Sequence, residues 1–334
     1  AVKMAKEGLT IDKVLTADAF ENAMRVLLAI GGSTNGIVHL AAIAGRMGLE
    51  IDLDALDKMG DETPVLVDLK PSGDHYMENF HDAGGMATLL RELKPLLKLN
   101  AMTVSGRTLG EEIDAAPPSF KQDVVRPFDK PIYPRGSIAV LHGNLAPGGA
   151  IIKQSAANEK LMEHEGRAVV FEDAADLANR IDSPDLDVNA EDILVLKNIG
   201  PKGAPGMPEA GYIPIPMKLA RAGVKDIVRI SDGRMSGTAF GTIVLHVTPE
   251  SAIGGPLAQV RNGDRIRLSV KNREISLLIS DEELAKRMKE NPITSPTAER
   301  GYKKLFLDTV TQADQGVDFD FLRAAKMVGK TPKR

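Results

Sequence analysis

Within ten residues, Asp232-Gly233-Arg234-Met235-Ser236-Gly237-Thr238-Ala239-Phe240-Gly241 gathers three glycines, two hydroxyls and an acid–base pair. Such a segment can bring backbone N–H groups close to a ligand. Ser236 and Thr238 can hold an anion or move a proton, and an ordinary glycine-rich turn with satisfied hydroxyls has the same composition. A second loop, residues 198–209, carries Gly200, Gly203 and Gly206 and ends in Glu209. A carboxylate there suits a hard cation, because Mg2+ takes one or two protein carboxylates and keeps positions open for substrate oxygens. A surface Glu before a helix is the plain alternative. Gly31-Gly32-Ser33-Thr34-Asn35-Gly36 opens a helix and offers free N–H groups to an anion, or joins two helices with Ser33 or Asn35 as cap. His75, Glu78, His81 and Asp82 stand at helical spacings, a weak metal pattern that a polar helix end explains equally well. A third glycine-rich turn of the β-rich half lies at 142–150.

None of these loops is a Walker A segment or a dinucleotide fingerprint. Two residues separate Gly233 from Ser236, so the order is not that of a hydrolase nucleophile elbow.

The elements that must position these residues fall into two halves. Residues 1 to about 60 read as helical. Thr16 supplies a cap, and Phe20, Met24, Leu27 and Leu28 recur at helical spacing. Residues 37–47 resume the helix with Leu40, Ile43 and Ala44 on one face. Asp52 caps a helix over 53–59, and 64–69 is a buried-strand candidate. Residues 87–97 form a leucine-rich helix, and 108–113 start another. Five prolines between 117 and 134 mark a linker. Beyond it the pattern turns to short strands: two around 138–152, then 167–171, 193–196, 224–230 and 242–247. A hairpin spans 264–279. Many short strands with Gly/Pro turns argue for a β-barrel or sandwich. Residues 281–334 read as a charged helix and an irregular tail, in which Tyr302, Phe306, Phe319 and Phe321 seek a surface.

The chain has 334 residues, 43% hydrophobic, enough for a sizeable core in two domains. Its net charge is −4 with both signs mixed, and no basic stripe points to nucleic acid. No apolar run suggests a membrane span. Without cysteine, the chain forms no disulfide and no thiolate metal site of its own.

Ile30-Gly31-Gly32-Ser33-Thr34-Asn35, His81-Asp82-Ala83-Gly84-Gly85, Gly200-Pro201-Lys202-Gly203-Ala204-Pro205-Gly206-Met207-Pro208-Glu209 and Ser231-Asp232-Gly233-Arg234-Met235-Ser236-Gly237-Thr238 occur in this order. Together they resemble the dihydroxy-acid dehydratase / phosphogluconate dehydratase family, over residues 10 to about 290. The resemblance implies an α/β fold class: the remainder of an α/β N-terminal domain over 1–125, a β-rich, barrel-like swivelling domain over 126–290, and a C-terminal helix and tail over 291–334. It implies a longer enzyme whose cluster-binding N-terminal portion this chain lacks. That enzyme is a hydro-lyase using Mg2+ and an iron–sulfur cluster, and it turns a 2,3-dihydroxy sugar acid into a 2-oxo-3-deoxy acid. By the same resemblance Ser236 is the base, Glu209 a Mg2+ ligand, and Thr238 with Gly237 part of the substrate site. Ser-Gly-Thr-Ala-Phe-Gly is similar to the sugar-acid branch; a branched-chain dihydroxy acid and 6-phosphogluconate are the alternative substrates. A cytoplasmic homo-dimer or tetramer is expected, and a non-catalytic fragment or oligomerising subunit is the competing reading.

Overall fold

The computed structural model describes residues 1–237 and 239–324. Among them eight strands close a barrel: β1 (Ala139–Gly143), β2 (Ala146–Ile152), β3 (Glu163–Phe171), β4 (Ile193–Leu196), β5 (Val228–Ser231), β6 (Ile243–Leu245), β7 (Arg265–Ser269) and β8 (Glu274–Leu277). Their order around the wall is β1-β2-β6-β5-β4-β3-β7-β8. The barrel-like expectation therefore holds, in its closed form.

Period-two alternation decides what fills the barrel. Ala139 and Leu141, Ala150 and Ile152, Ala168 and Val170, Ile193 and Val195, and Val228 and Ile230 share one interior cluster. The residues between them face outward and are buried too. Val169, Phe171, Leu194 and Leu196 pack with Leu177 and Leu219, which come from helices Ala174–Arg180 and Met217–Arg221. This is why β4 reads as four consecutive apolar residues: both of its faces are covered. Asp173 caps the first of these helices by accepting from the backbone N–H groups of Ala175 and Asp176.

Strands β3, β4, β5 and β6 run parallel as neighbours. Parallel neighbours end on the same side, so the loops that leave β4 and β5 lie side by side. Those loops are residues 198–209 and 232–241, and Leu196 stands opposite Ser231 in the register.

Helices are the regular elements of residues 1–125, joined by irregular segments. Thr16 caps Ala17–Ala29 by accepting from Ala19 N–H, and Asp52 caps Leu53–Glu62. Val140 and Ile151 on the barrel's outer face join Leu28, Ile37, Leu56 and Met59 in one apolar cluster, which fixes the helical part against the barrel. Ser72 and Ser155 add a hydrogen bond of 2.7 Å across the same boundary.

Several expectations change. Residues 64–69 are buried but make only single bridges, at Val65, Val67 and Leu69, and join no sheet. Helix Asn35–Arg46 buries Ile37, Val38, Ala41 and Ala44, while Ile43 is exposed. Its inward face is rotated from the expected one: Ile37 packs on the barrel, and Gly316 of the C-terminal segment stands against Ala41 and Ala42. The tail is not irregular throughout: Gly301–Thr309 is a helix, and Tyr302, Phe306, Phe319 and Phe321 pack on one another as well as facing outward. Residues 325–334 lie outside the described part.

Candidate active site

Glu209 and Ser236, expected from separate loops, line one cleft of about 460 Å³ with Tyr212, Lys225, Arg229 and Phe240. Both are exposed, as groups that must meet a ligand have to be. Both loops leave the carboxyl ends of adjacent parallel strands, the side on which ligands of parallel sheets bind.

Three sets of contacts hold the loops. The fully buried Asp232 accepts from Ile199 N–H through Oδ1 at 3.0 Å and from Ser251 N–H through Oδ2 at 2.8 Å. Buried Glu250 accepts from Lys202 N–H at 2.9 Å, from Gly203 N–H at 2.9 Å and from Gln312 Nε2 at 2.7 Å. A Cβ on Gly200 would stand 2.7 Å from Glu250 Oε2, so the loop wraps that carboxylate closely. Burial raises the proton affinity of both acids, and the N–H donors act against it. At the far end of the serine loop Asp226 accepts from Thr242 N–H and hydroxyl and pairs with Arg229 at 2.7 Å. Arg229 in turn donates to the Ile213 and Phe240 carbonyls.

The glycine-rich turn of the helical half completes the site. Asn35, first residue of its helix, donates through Nδ2 to Glu209 Oε1 and, at 3.1 Å, to the Met235 carbonyl. Its Oδ1 is buried and has no hydrogen-bond partner. A carboxylate at a helix N-terminus also meets the favourable end of the dipole. Arg234 donates from Nε to the Met207 carbonyl and places Nη1 3.8 Å from Glu209. Gly237 lies against Ser33: a Cβ there would come within 2.7 Å of Ser33 Cβ.

Asn35 is the residue that sequence reasoning missed. Read as a helix cap, it serves instead as the link between the two candidate groups; Thr34 occupies the cap position, and Ser33 Oγ accepts from Asn35 N–H. Its place inside a glycine-rich motif was the signal available. Thr238 lies outside the described residues. His75, Glu78, His81 and Asp82 gather no metal site, since no group of three or more His, Cys, Asp or Glu converges among the described residues. Glu78, His81 and Asp82 are exposed on the helix Met77–Asp82, and His75 precedes it.

For Mg2+, the donors present are one carboxylate on Glu209 and the orphaned Asn35 carbonyl oxygen beside it. One hard carboxylate with open positions fits that ion. An iron–sulfur cluster does not fit these residues, for the chain has no thiolate.

Comparison with known proteins gives a consistent answer. Residues 123–317 match the family model for the C-terminal domain of dihydroxy-acid/6-phosphogluconate dehydratases, and residues 1–112 match that for the N-terminal domain. The expectation that the N-terminal portion is missing is thus narrowed, because the helical half carries sequence of that domain. The chain is 49% identical over 330 residues to an L-arabonate dehydratase of Azospirillum brasilense, covering 96% of this chain and 56% of that protein. It is 48% identical to an L-arabinonate dehydratase of Rhizobium leguminosarum bv. trifolii, covering 98% and 57%. It is 38% identical to a dihydroxy-acid dehydratase of Dehalococcoides mccartyi, covering 95% and 57%. The chain spans about half the length of these relatives. Two family models that divide it where the helices give way to the barrel leave one assignment: this chain belongs to the dihydroxy-acid/6-phosphogluconate dehydratase family.

Proposed function

We propose that this chain carries the proton-abstracting serine and one Mg2+ ligand of a hydro-lyase that dehydrates a 2,3-dihydroxy sugar acid to a 2-oxo-3-deoxy acid. The observation that carries the reading is the shared cleft of Ser236 and Glu209, with Asn35 between their loops. Ser236 Oγ, ionised, takes the proton from C2. The electron pair left on C2 forms the C2=C3 bond as the C3–O bond breaks; hydroxide and the abstracted proton make up the water lost, and the enol ketonises.

A serine hydroxyl keeps its proton in water at neutral pH, so its surroundings have to favour the alkoxide. Gly237 bares the backbone next to it, and Thr238 beside it is the proposed substrate contact. When bound at Glu209, Mg2+ supplies positive charge for the substrate oxygens and for the serine oxygen. No step through an iron–sulfur cluster is derived, because these residues offer it no ligand.

The higher identity to proteins named for arabonate than to those named for dihydroxy acids supports the sugar-acid branch. We place the working enzyme in the cytoplasm as a homo-oligomer; among the described residues no helix is long and apolar enough to cross a membrane. The test is Ser236→Ala in the natively expressed protein, purified without oxygen and assayed on L-arabonate, 6-phosphogluconate and a branched-chain dihydroxy acid. A loss of at least about a thousandfold is expected on the preferred acid. Wild-type turnover refutes the base, and no turnover of any acid by the wild type favours the non-catalytic reading.

A further inference from the structure

Lys153 follows β2 directly and is 3% exposed. Its Nζ reaches the carbonyl of Gly237, next to Ser236, at 3.5 Å. Among the described residues it forms no ion pair with a carboxylate. The segment around it backs the serine loop: Ala156 O accepts from Gly241 N–H at 3.0 Å, and Asn158 N–H donates to Thr242 Oγ1 at 3.1 Å. A buried cation without a counter-charge costs stability, and an apolar side chain of similar length would fill the space at less expense. Burial lowers the amine to about 8, and among the described residues no charged neighbour contributes to that shift.

We propose that Lys153 is a positioning residue for the Ser236 base: its ammonium holds the Gly237 carbonyl from beneath the loop and supplies positive charge that an ionised Ser236 hydroxyl requires. No bond to Lys153 forms or breaks, and the C2 proton goes to Ser236. This rests on the serine-base reading above.

The natively expressed protein is assayed without oxygen on L-arabonate as wild type, Lys153→Met, Lys153→Arg and Ser236→Ala. Lys153→Met is expected to lower kcat at pH 7 by at least about tenfold with KM changed less than about threefold, and to move the acidic limb of the kcat–pH profile upward. Lys153→Arg keeps the charge and is expected to recover a large part of kcat. Lys153→Met should melt at or above the wild-type temperature, since a buried charge has gone. A kcat for Lys153→Met within twofold of wild type overturns the proposal. So does a lowered melting temperature in Lys153→Met with an equal kcat loss and an unmoved pH profile in both variants, which makes Lys153 a packing residue. The two readings fail differently: an active Ser236→Ala removes the base itself, whereas an inactive Ser236→Ala beside an unaffected Lys153→Met removes only the lysine's role.

Discussion

The side-chain amide of Asn35 binds the Glu209 carboxylate while also donating to the backbone carbonyl of Met235. One side chain at the start of a helix therefore sets the spacing between the candidate metal ligand and the loop of the candidate base. The two loops reach it from adjacent parallel strands, so a shift in either is felt by the other.

Replacing Asn35 by Ala should cost about 1–3 kcal/mol, since it leaves the buried Met235 carbonyl without this donor. It should also weaken Mg2+ binding, because Glu209 is then free to turn. Glu209→Gln should weaken Mg2+ binding further and leave stability within about 0.5 kcal/mol, as befits an exposed position. Calorimetric titration with Mg2+ and urea denaturation of both variants check the pair. Unchanged Mg2+ affinity in Glu209→Gln removes it from the ligand set.

Gly237→Ala pushes a methyl group into Ser33, and the backbone has to yield. A stability loss of about 1–3 kcal/mol is expected, with a larger effect on turnover as Ser236 moves. Adding Ser33→Gly should restore part of both, because it removes the atoms that the methyl meets. A double-mutant cycle with no coupling would show that the two loops do not press on each other.

Glu250→Ala leaves the N–H groups of Lys202 and Gly203 without their acceptor. We expect about 2–4 kcal/mol of destabilisation and faster amide exchange over residues 199–209. Exchange confined to wild-type rates in that loop, at equal global stability, would mean that Glu250 does not hold it.

His246 gives a pH dependence of stability. It is 4% exposed, its Nε2 has no hydrogen-bond partner, and burial first and Arg234 second lower its pKa from 6.5 to about 4. The unfolded chain then binds a proton that the folded chain refuses between those two values. Stability is unaffected by this group above pH 6.5, falls as the pH drops towards 4, and levels off below. The loss amounts to about 3 kcal/mol across the window. Its backbone φ of 56° suits Asn, so His246→Asn can remove the titration with little strain. Urea denaturation at pH 7.5 and 5.0 should show a smaller drop in that variant than in the wild type.

Much of the scaffold was legible because local chemistry writes it. Thr16 and Asp52 sit where cap residues should, and each accepts from the helix that follows. The 264–279 hairpin pairs as its alternation predicts. Residues 64–69 misled because a buried apolar run has the same pattern whether or not a neighbour strand exists. Ile43 misled because two faces of one helix were nearly equally apolar, and the covering elements chose between them.

What the sequence determined alone was the set of glycine-rich loops that carry Ser236 and Glu209, and the change from helices to short strands near residue 130. Those rest on residue type and on spacings of a few positions. Only the tertiary structure decided that β4 and β5 lie parallel and adjacent, that Asn35 meets Glu209 174 positions away, and that Lys153 lies buried under the serine loop. Such contacts depend on how strands are ordered around the closed barrel, and that order follows from burying both faces at once rather than from any local pattern.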